Sequence, residues 1–237
     1  MQLSSKRFTI GIVGVAFFLF LIDIYAYLHG FYDIKNLYLF KKFLNPATER
    51  NIPTLLSSFL FFMIGKTLRE TLNKKGIAKL YAFFFYYLAL DDLFMIHEQL
   101  GSLIGKSILK GHWKGYYWHA IYDPVFFIIF GSLYIFLSIQ FLKSKQKLPL
   151  LLLTIGYFLY GISQLMDYYE GLKPSFALAE EFTGLPRHKI IHIFRTIEET
   201  TEMIASAMIL HALFIWGKIK VVTLQISLKL STLGKDR

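Results

Sequence analysis

The sequence predicts an all-α polytopic membrane protein, a bundle of six transmembrane helices, and three observations carry that prediction. At 55% hydrophobic residues and a mean hydropathy of +0.47, the 237-residue chain is too apolar for a soluble domain of its size. Its apolar runs recur in windows of about 20 residues, the length that crosses ~30 Å of hydrocarbon at ~1.5 Å per residue. The runs are also continuous rather than alternating, which argues against a membrane barrel. The absence of cysteine excludes disulfides, thiolate metal sites and cysteine nucleophiles. A net charge of +10 in such a chain reads as the loop bias of a membrane protein. Nucleic-acid binding is not expected, since no soluble module remains to carry it.

The first helix covers residues 8–28, behind Lys6-Arg7. It is too long for a signal h-region, contains Asp23 and lacks a small-x-small cleavage site, so it stays in the fold. The loop after it, with Ile34, Leu37, Tyr38, Lys41, Lys42 and Leu44, suits a short helix lying in the interface. Pro53 opens a second helix, 53–70, at a favoured first-turn position. The third, 77–100, ends in Ala89-Leu90-Asp91-Asp92-Leu93-Phe94-Met95-Ile96-His97-Glu98. Trp113, Tyr116, Tyr117 and Trp118 then read as an interfacial aromatic belt. The fourth helix, 119–142, carries Asp123-Pro124 in its first turn, where Asp123 suits a cap. The fifth, 148–170, turns polar at Gln164, Asp167 and Glu170, and the sixth covers 188–217. No repeat or second domain interrupts residues 1–237.

Six alternating helices divide the loops between two sides. Fifteen of the 26 basic residues and two of the 16 acidic ones fall on the side of the N-terminus, an excess of 13 positive charges. The other side holds 11 basic and 14 acidic residues, a net of −3. The basic excess assigns the first side, with both termini, to the cytoplasm, and a bacterial inner membrane is the expected location.

With that topology five helices bring their acids and imidazoles to one outward end. Asp23, Asp91, Asp92, His97, Glu98, Asp167 and Glu170 close odd-numbered helices, while His119, Asp123, His188, His192, Glu198, Glu199 and Glu202 open even-numbered ones. Asp91, Asp92 and Glu202 lie deepest, so the group forms a cup with carboxylates at its floor. Asp91 and Glu98, seven residues apart, share a helix face, from which His97 is rotated away. On the last helix His188, His192, Arg195, Glu199, Glu202 and Ser206 follow at steps of four and three, a polar stripe in an apolar segment. Arg195 can pair with Glu198 or Glu199 within that helix, and His211 reads as a packing residue. Carboxylates cannot crowd together as bare anions. They share protons with raised pKa values, or they hold a cation.

An HxxxH pair, His188 and His192, together with intramembrane aspartates, is similar to the zinc hydrolases of the alkaline ceramidase and adiponectin-receptor superfamily. That family uses seven helices, three histidines and one aspartate, whereas this chain has six helices and more carboxylates. The DDLFMIHE and EETTEM segments, the latter with the pattern EExxEM, resemble those of uncharacterised bacterial multi-pass membrane proteins, over most of helices three to six, and that resemblance implies no activity. The expected function is a metal-dependent membrane enzyme acting on a lipid or amphipathic substrate. Glu199 and Asp92 are its candidate catalytic residues, and Asp91, His97, Glu98, Asp167, His192 and Glu202 its candidate ligands for a divalent ion. Oxygen-rich ligation favours iron, manganese or magnesium over zinc. A cation or proton transporter or channel is the alternative, and a structural subunit the third reading; oligomeric state is not legible.

Overall fold

The computed structural model describes residues 5–30, 43–45, 51–72, 76–96, 99–100, 103, 116–171 and 176–217. Its helices are α1 (Ser5–Leu28), α2 (Ile52–Thr71), α3 (Gly76–Phe94), α4 (Tyr116–Lys143), α5 (Lys147–Gly171), the short α6 (Ala177–Thr183) and α7 (Arg187–Gly217). Four of them, α1, α4, α5 and α7, are long and apolar enough to cross a membrane. The α2 and α3 helices are shorter, 20 and 19 residues; α2 carries Lys66, Arg69 and Glu70, and α3 carries Lys79, Asp91 and Asp92.

α7 is the centre. Its span is 56% buried, against 22–28% for the other three, because α1, α2 and α5 all pack on it. Contacts at both ends of each pair fix the directions. Phe8 meets Phe214 while Tyr27 meets His192, so α1 runs antiparallel to α7. Ser57 and Ser58 meet the end of α3, and Gly65 meets Ala82 nearer its start. Phe126 and Tyr134 on α4 face Tyr160 and Thr154 on α5 in the same antiparallel sense. The alternation expected from the sequence is therefore present, and it gathers the C-terminal ends of α1, α3 and α5 with the N-terminal ends of α2, α4 and α7.

Two glycines set the closest approaches. A Cβ on Gly65 would lie 2.9 Å from Ala82 O and from the Tyr86 ring, and one on Gly156 would lie 2.8 Å from Ile209 Cγ1 and 3.0 Å from Ala205 O. Small residues that let backbones approach are the usual currency of helix packing in membranes. Between α3, α4 and α5 the packing is aromatic. Phe85 meets Phe130, Phe84 meets Phe126, and Phe126 and Phe130 meet Tyr157 and Tyr160.

Three expectations change. The third helix stops at Phe94 rather than near 100, because Met95 takes a left-handed φ of 55° and breaks the helical phase. The fourth begins at Tyr116, so Pro124 lies inside it and Asp123 is an internal position, not a cap. The connection 171–187 contains α6, closed by Gly184 at φ 65°, whose N–H reaches Glu180 O at 2.9 Å. Of the proposed interfacial segment, positions 31–42 lie outside the described residues.

Candidate functional site

The polar end is built in layers, and the outer one joins α1 to α7. Asp23 is fully buried near the end of α1. Its Oδ2 lies 2.8 Å from His192 Nε2 and 2.7 Å from Thr196 Oγ1, one turn apart on α7. A carboxylate only accepts, so Nε2 carries the proton of that bond, and the lone pair or second proton of the ring belongs to Nδ1. Tyr27 lies flat on the imidazole, with ring centroids 3.6 Å apart and 11° between planes, and its hydroxyl donates to His188 O at 3.2 Å. The ring of His192 is thus fixed in plane by stacking and in tautomer by Asp23.

A second pair joins α2 to α3. Asn51 caps α2, its side chain accepting from Thr54 N at 2.9 Å, and Pro53 follows in the first turn. That start places Ser57 on the inner side, where its hydroxyl donates to Asp92 Oδ2. Ser58 Oγ donates to Ala89 O at 2.7 Å, and Asp91 is buried beside it in sequence.

The inner layer joins α5 to α7. Tyr160 OH lies 3.2 Å from Glu202 Oε1, and Ser163 Oγ lies 3.5 Å from Oε2. Glu202 is the midpoint of α7, with 15 residues on each side, so it sits ~22 Å from either end. Asp167 and Glu199 are half-buried about a turn nearer the acidic end, on α5 and α7.

These positions reorganise the expected set. Ten residues separate His192 from Glu202, ~15 Å along one helix, so a single ion cannot take both as ligands. Among the described residues no three His, Asp or Glu side chains are grouped to hold a metal ion. His97 and Glu98 lie outside the described residues. The stripe on α7 is also rearranged. His188 and Arg195 are exposed, and the buried polar line runs His192, Thr196, Thr200 at steps of four. At the other end His211 Nδ1 is buried without a hydrogen-bond partner.

Sequence reasoning passed over the hydroxyls Ser57, Tyr160, Ser163, Thr196 and Thr200, and the stacking ring Tyr27. The signal that could have found Thr196 is its i+4 spacing from His192. The signal for Tyr27 is the same spacing from Asp23.

No curated protein and no solved structure matches the chain. A family model described as a domain of unknown function, DUF8692, matches residues 12–216, from the middle of α1 to the end of α7, and the chain belongs to that family.

Proposed function

We propose that this chain is a six-span protein of the bacterial inner membrane, with both termini in the cytoplasm, that works as a metal-dependent enzyme on a lipid or other amphipathic substrate reaching the cup from the outer leaflet. The basic loops on one side and the acidic end on the other support the orientation, and the antiparallel pairing of α2 with α3 supports their counting as spans.

The observation that carries the enzyme reading is the buried Asp23–His192 pair. A carboxylate behind the imidazole is the arrangement that fixes histidines serving as metal ligands or as general bases. His192 would bind the ion or accept a proton through Nδ1, and His97, Glu98, Asp91 and Asp167 are the candidates at the same end to complete the ligand set. When bound, the ion supplies a hydroxide nucleophile at neutral pH. Glu199 and Asp92 would move protons, with Ser57 holding the Asp92 carboxylate in place.

An apolar groove of about 380 Å3 on α2 and α3 is lined by Leu55, Phe59, Phe62, Leu90 and Leu93 with Ser58. Its chemistry suits an acyl chain whose polar part reaches the cup. Elemental analysis of the purified protein beside His192→Ala and Asp167→Ala variants tests the reading. Stoichiometric iron, manganese, magnesium or zinc that falls in the variants supports it. Wild-type protein free of any such metal after metal-replete growth and chelator-free purification overturns it. One observation, Glu202 at the midpoint of α7, favours cation handling, the alternative function.

A further inference from the structure

We infer that Lys6 and His211 form a binding site for the phosphate and ester groups of an anionic phospholipid, at the basic end of the seam between α1 and α7. The starting point is the exposure pattern of the central helix. From Met203 to Phe214 every residue of α7 is buried except Ile204, Met208 and His211. Steps of four and three put these on one face, and half-buried Ile215 continues it. α1, α2 and α5 pack on the rest of the helix, so this strip is what the packing leaves to the bilayer. His211 is the polar member of an otherwise Ile and Met face. Ionisable side chains inside a span are costly and rarely meet lipid unless they have a task there.

The two ring nitrogens are not equivalent. Nδ1 is buried without a hydrogen-bond partner. A neutral imidazole carries one N–H, and a buried N–H with no acceptor bears the full desolvation cost, so the proton belongs on Nε2. Among the described residues nothing bonds to Nε2, and it is not enclosed as Nδ1 is. It is a donor open to a ligand. Lys6, the second residue of α1, is the charge that acts on this ring. The antiparallel seam brings them together: Phe8 meets Phe214 with ring centroids 6.0 Å apart, and Lys6 and His211 flank that contact two and three residues away. Lys6 is exposed and meets no acid among the described residues. Glu70, the one acidic residue described at this end, meets Lys66 on its own helix at 4.0 Å.

Depth and charge select the ligand. The 31 residues of α7 make it ~46 Å long, about the ~40–45 Å of a bilayer with its headgroup layers. His211 lies six residues before the end, ~9 Å in, at the boundary between headgroups and hydrocarbon. That is the level of a phospholipid's ester carbonyls, which accept from an N–H. The phosphate lies outside them, where a lysine extends toward water. Basic groups between spans on the cytoplasmic side hold anionic headgroups. The basic excess of this end repels the ammonium of a zwitterionic lipid, so a headgroup of net negative charge, as in phosphatidylglycerol, is the one that fits. The site stands apart from the cup, and neither the enzyme reading nor its failure bears on it.

The test is the thermal midpoint of the full chain in neutral detergent, titrated with phosphatidylglycerol against phosphatidylcholine of the same acyl chains. A ligand that binds only the folded state raises the midpoint in a saturable way. Phosphatidylglycerol should do so at lower concentration than phosphatidylcholine, and sodium phosphate should act no differently from sodium chloride at equal ionic strength. His211→Leu, which suits the apolar strip, should increase the phosphatidylglycerol needed about fivefold. Lys6→Gln should remove the preference over phosphatidylcholine, while Lys79→Gln, at the same end on α3, should leave it intact. Equal responses to the two lipids overturn the proposal. An equal loss in Lys6→Gln and Lys79→Gln also overturns it, since diffuse charge then holds the lipid. A midpoint raised as far by phosphate as by the lipid overturns it in favour of a free anion. If His211→Leu does not fold, Lys6→Gln decides, and an unchanged lipid preference there refutes the site.

Discussion

Replacing Asp23 with alanine tests whether the outer layer holds the bundle together. The residue is fully buried and makes two bonds to α7, at 2.8 Å to His192 and 2.7 Å to Thr196. Hydrogen bonds to charged groups contribute about 1.5–3 kcal/mol each, whereas bonds between membrane helices average about 0.6 kcal/mol. Thr196 retains its second bond, to His192 O at 2.9 Å, so its loss is small. His192 Nε2 loses its acceptor while 9% exposed, and an unsatisfied buried donor costs about 1–3 kcal/mol. The sum is about 2–4 kcal/mol, which lowers the thermal midpoint of a chain this long by about 4–16 °C. Asp23→Asn keeps one acceptor oxygen and should lose about half as much. The assay is unfolding in detergent of Asp23→Ala, His192→Ala and the double variant. If the two residues act as one unit, the double variant is less destabilised than the two singles combined, by about 1–3 kcal/mol. Additivity within about 0.3 kcal/mol would refute the reasoning, since it means the pair contributes nothing as a pair.

Gly156→Leu should be more disruptive than Gly161→Leu, because a Cβ at 156 already meets Ile209 Cγ1 at 2.8 Å while one at 161 meets nothing within 4 Å. Overpacking costs about 1–3 kcal/mol, and equal unfolding midpoints for the two variants would show that α5 and α7 do not cross at Gly156. The lack of native cysteine makes single-cysteine labelling clean. Lys145→Cys should react with a membrane-impermeant maleimide only after the cells are opened, and Phe182→Cys, 94% exposed on α6, should react in intact spheroplasts. The reverse pattern would invert the topology.

Element boundaries were largely legible because long apolar runs between charged loops leave little choice. Residues 188–217 and 148–170 differ from α7 and α5 by a residue or less at each end. The alternation of helix direction followed from counting, and with it the collection of acids at one end. The pairing did not follow. Phase on an isolated helix says that His192 and Glu202 are both polar, but only the packing shows that one faces α1 and the other α5. The hydroxyls were invisible for a different reason. Serine, threonine and tyrosine cost little in an apolar helix, so they raise no alarm by composition, yet Ser57, Tyr160 and Thr196 are the groups that meet the carboxylates. Nor does anything in Phe94-Met95-Ile96 announce a left-handed residue, since methionine has no preference for that region.

The two halves of the bundle hold by different means, and this bears on where it can move. Lipid tails are as apolar as the helix faces, so the hydrophobic effect does little to press helices together within the bilayer. From mid-depth inward the substitute is close packing: Gly65 and Gly156 at the crossings, and the Phe84, Phe126, Phe130 and Tyr157 rings, which leave few alternative arrangements. From the acidic end down to the midpoint of α7 it is a small number of polar bonds, each joining a different pair of helices: α1 to α7 through Asp23, α2 to α3 through Asp92, α5 to α7 through Glu202. Those bonds respond to ligands and protons, and the ring contacts do not. Any conformational step linked to binding should therefore open or close the acidic end about a fixed aromatic half. Among the described residues Tyr160 belongs to both, stacked on Phe126 at 5.7 Å while its hydroxyl meets Glu202.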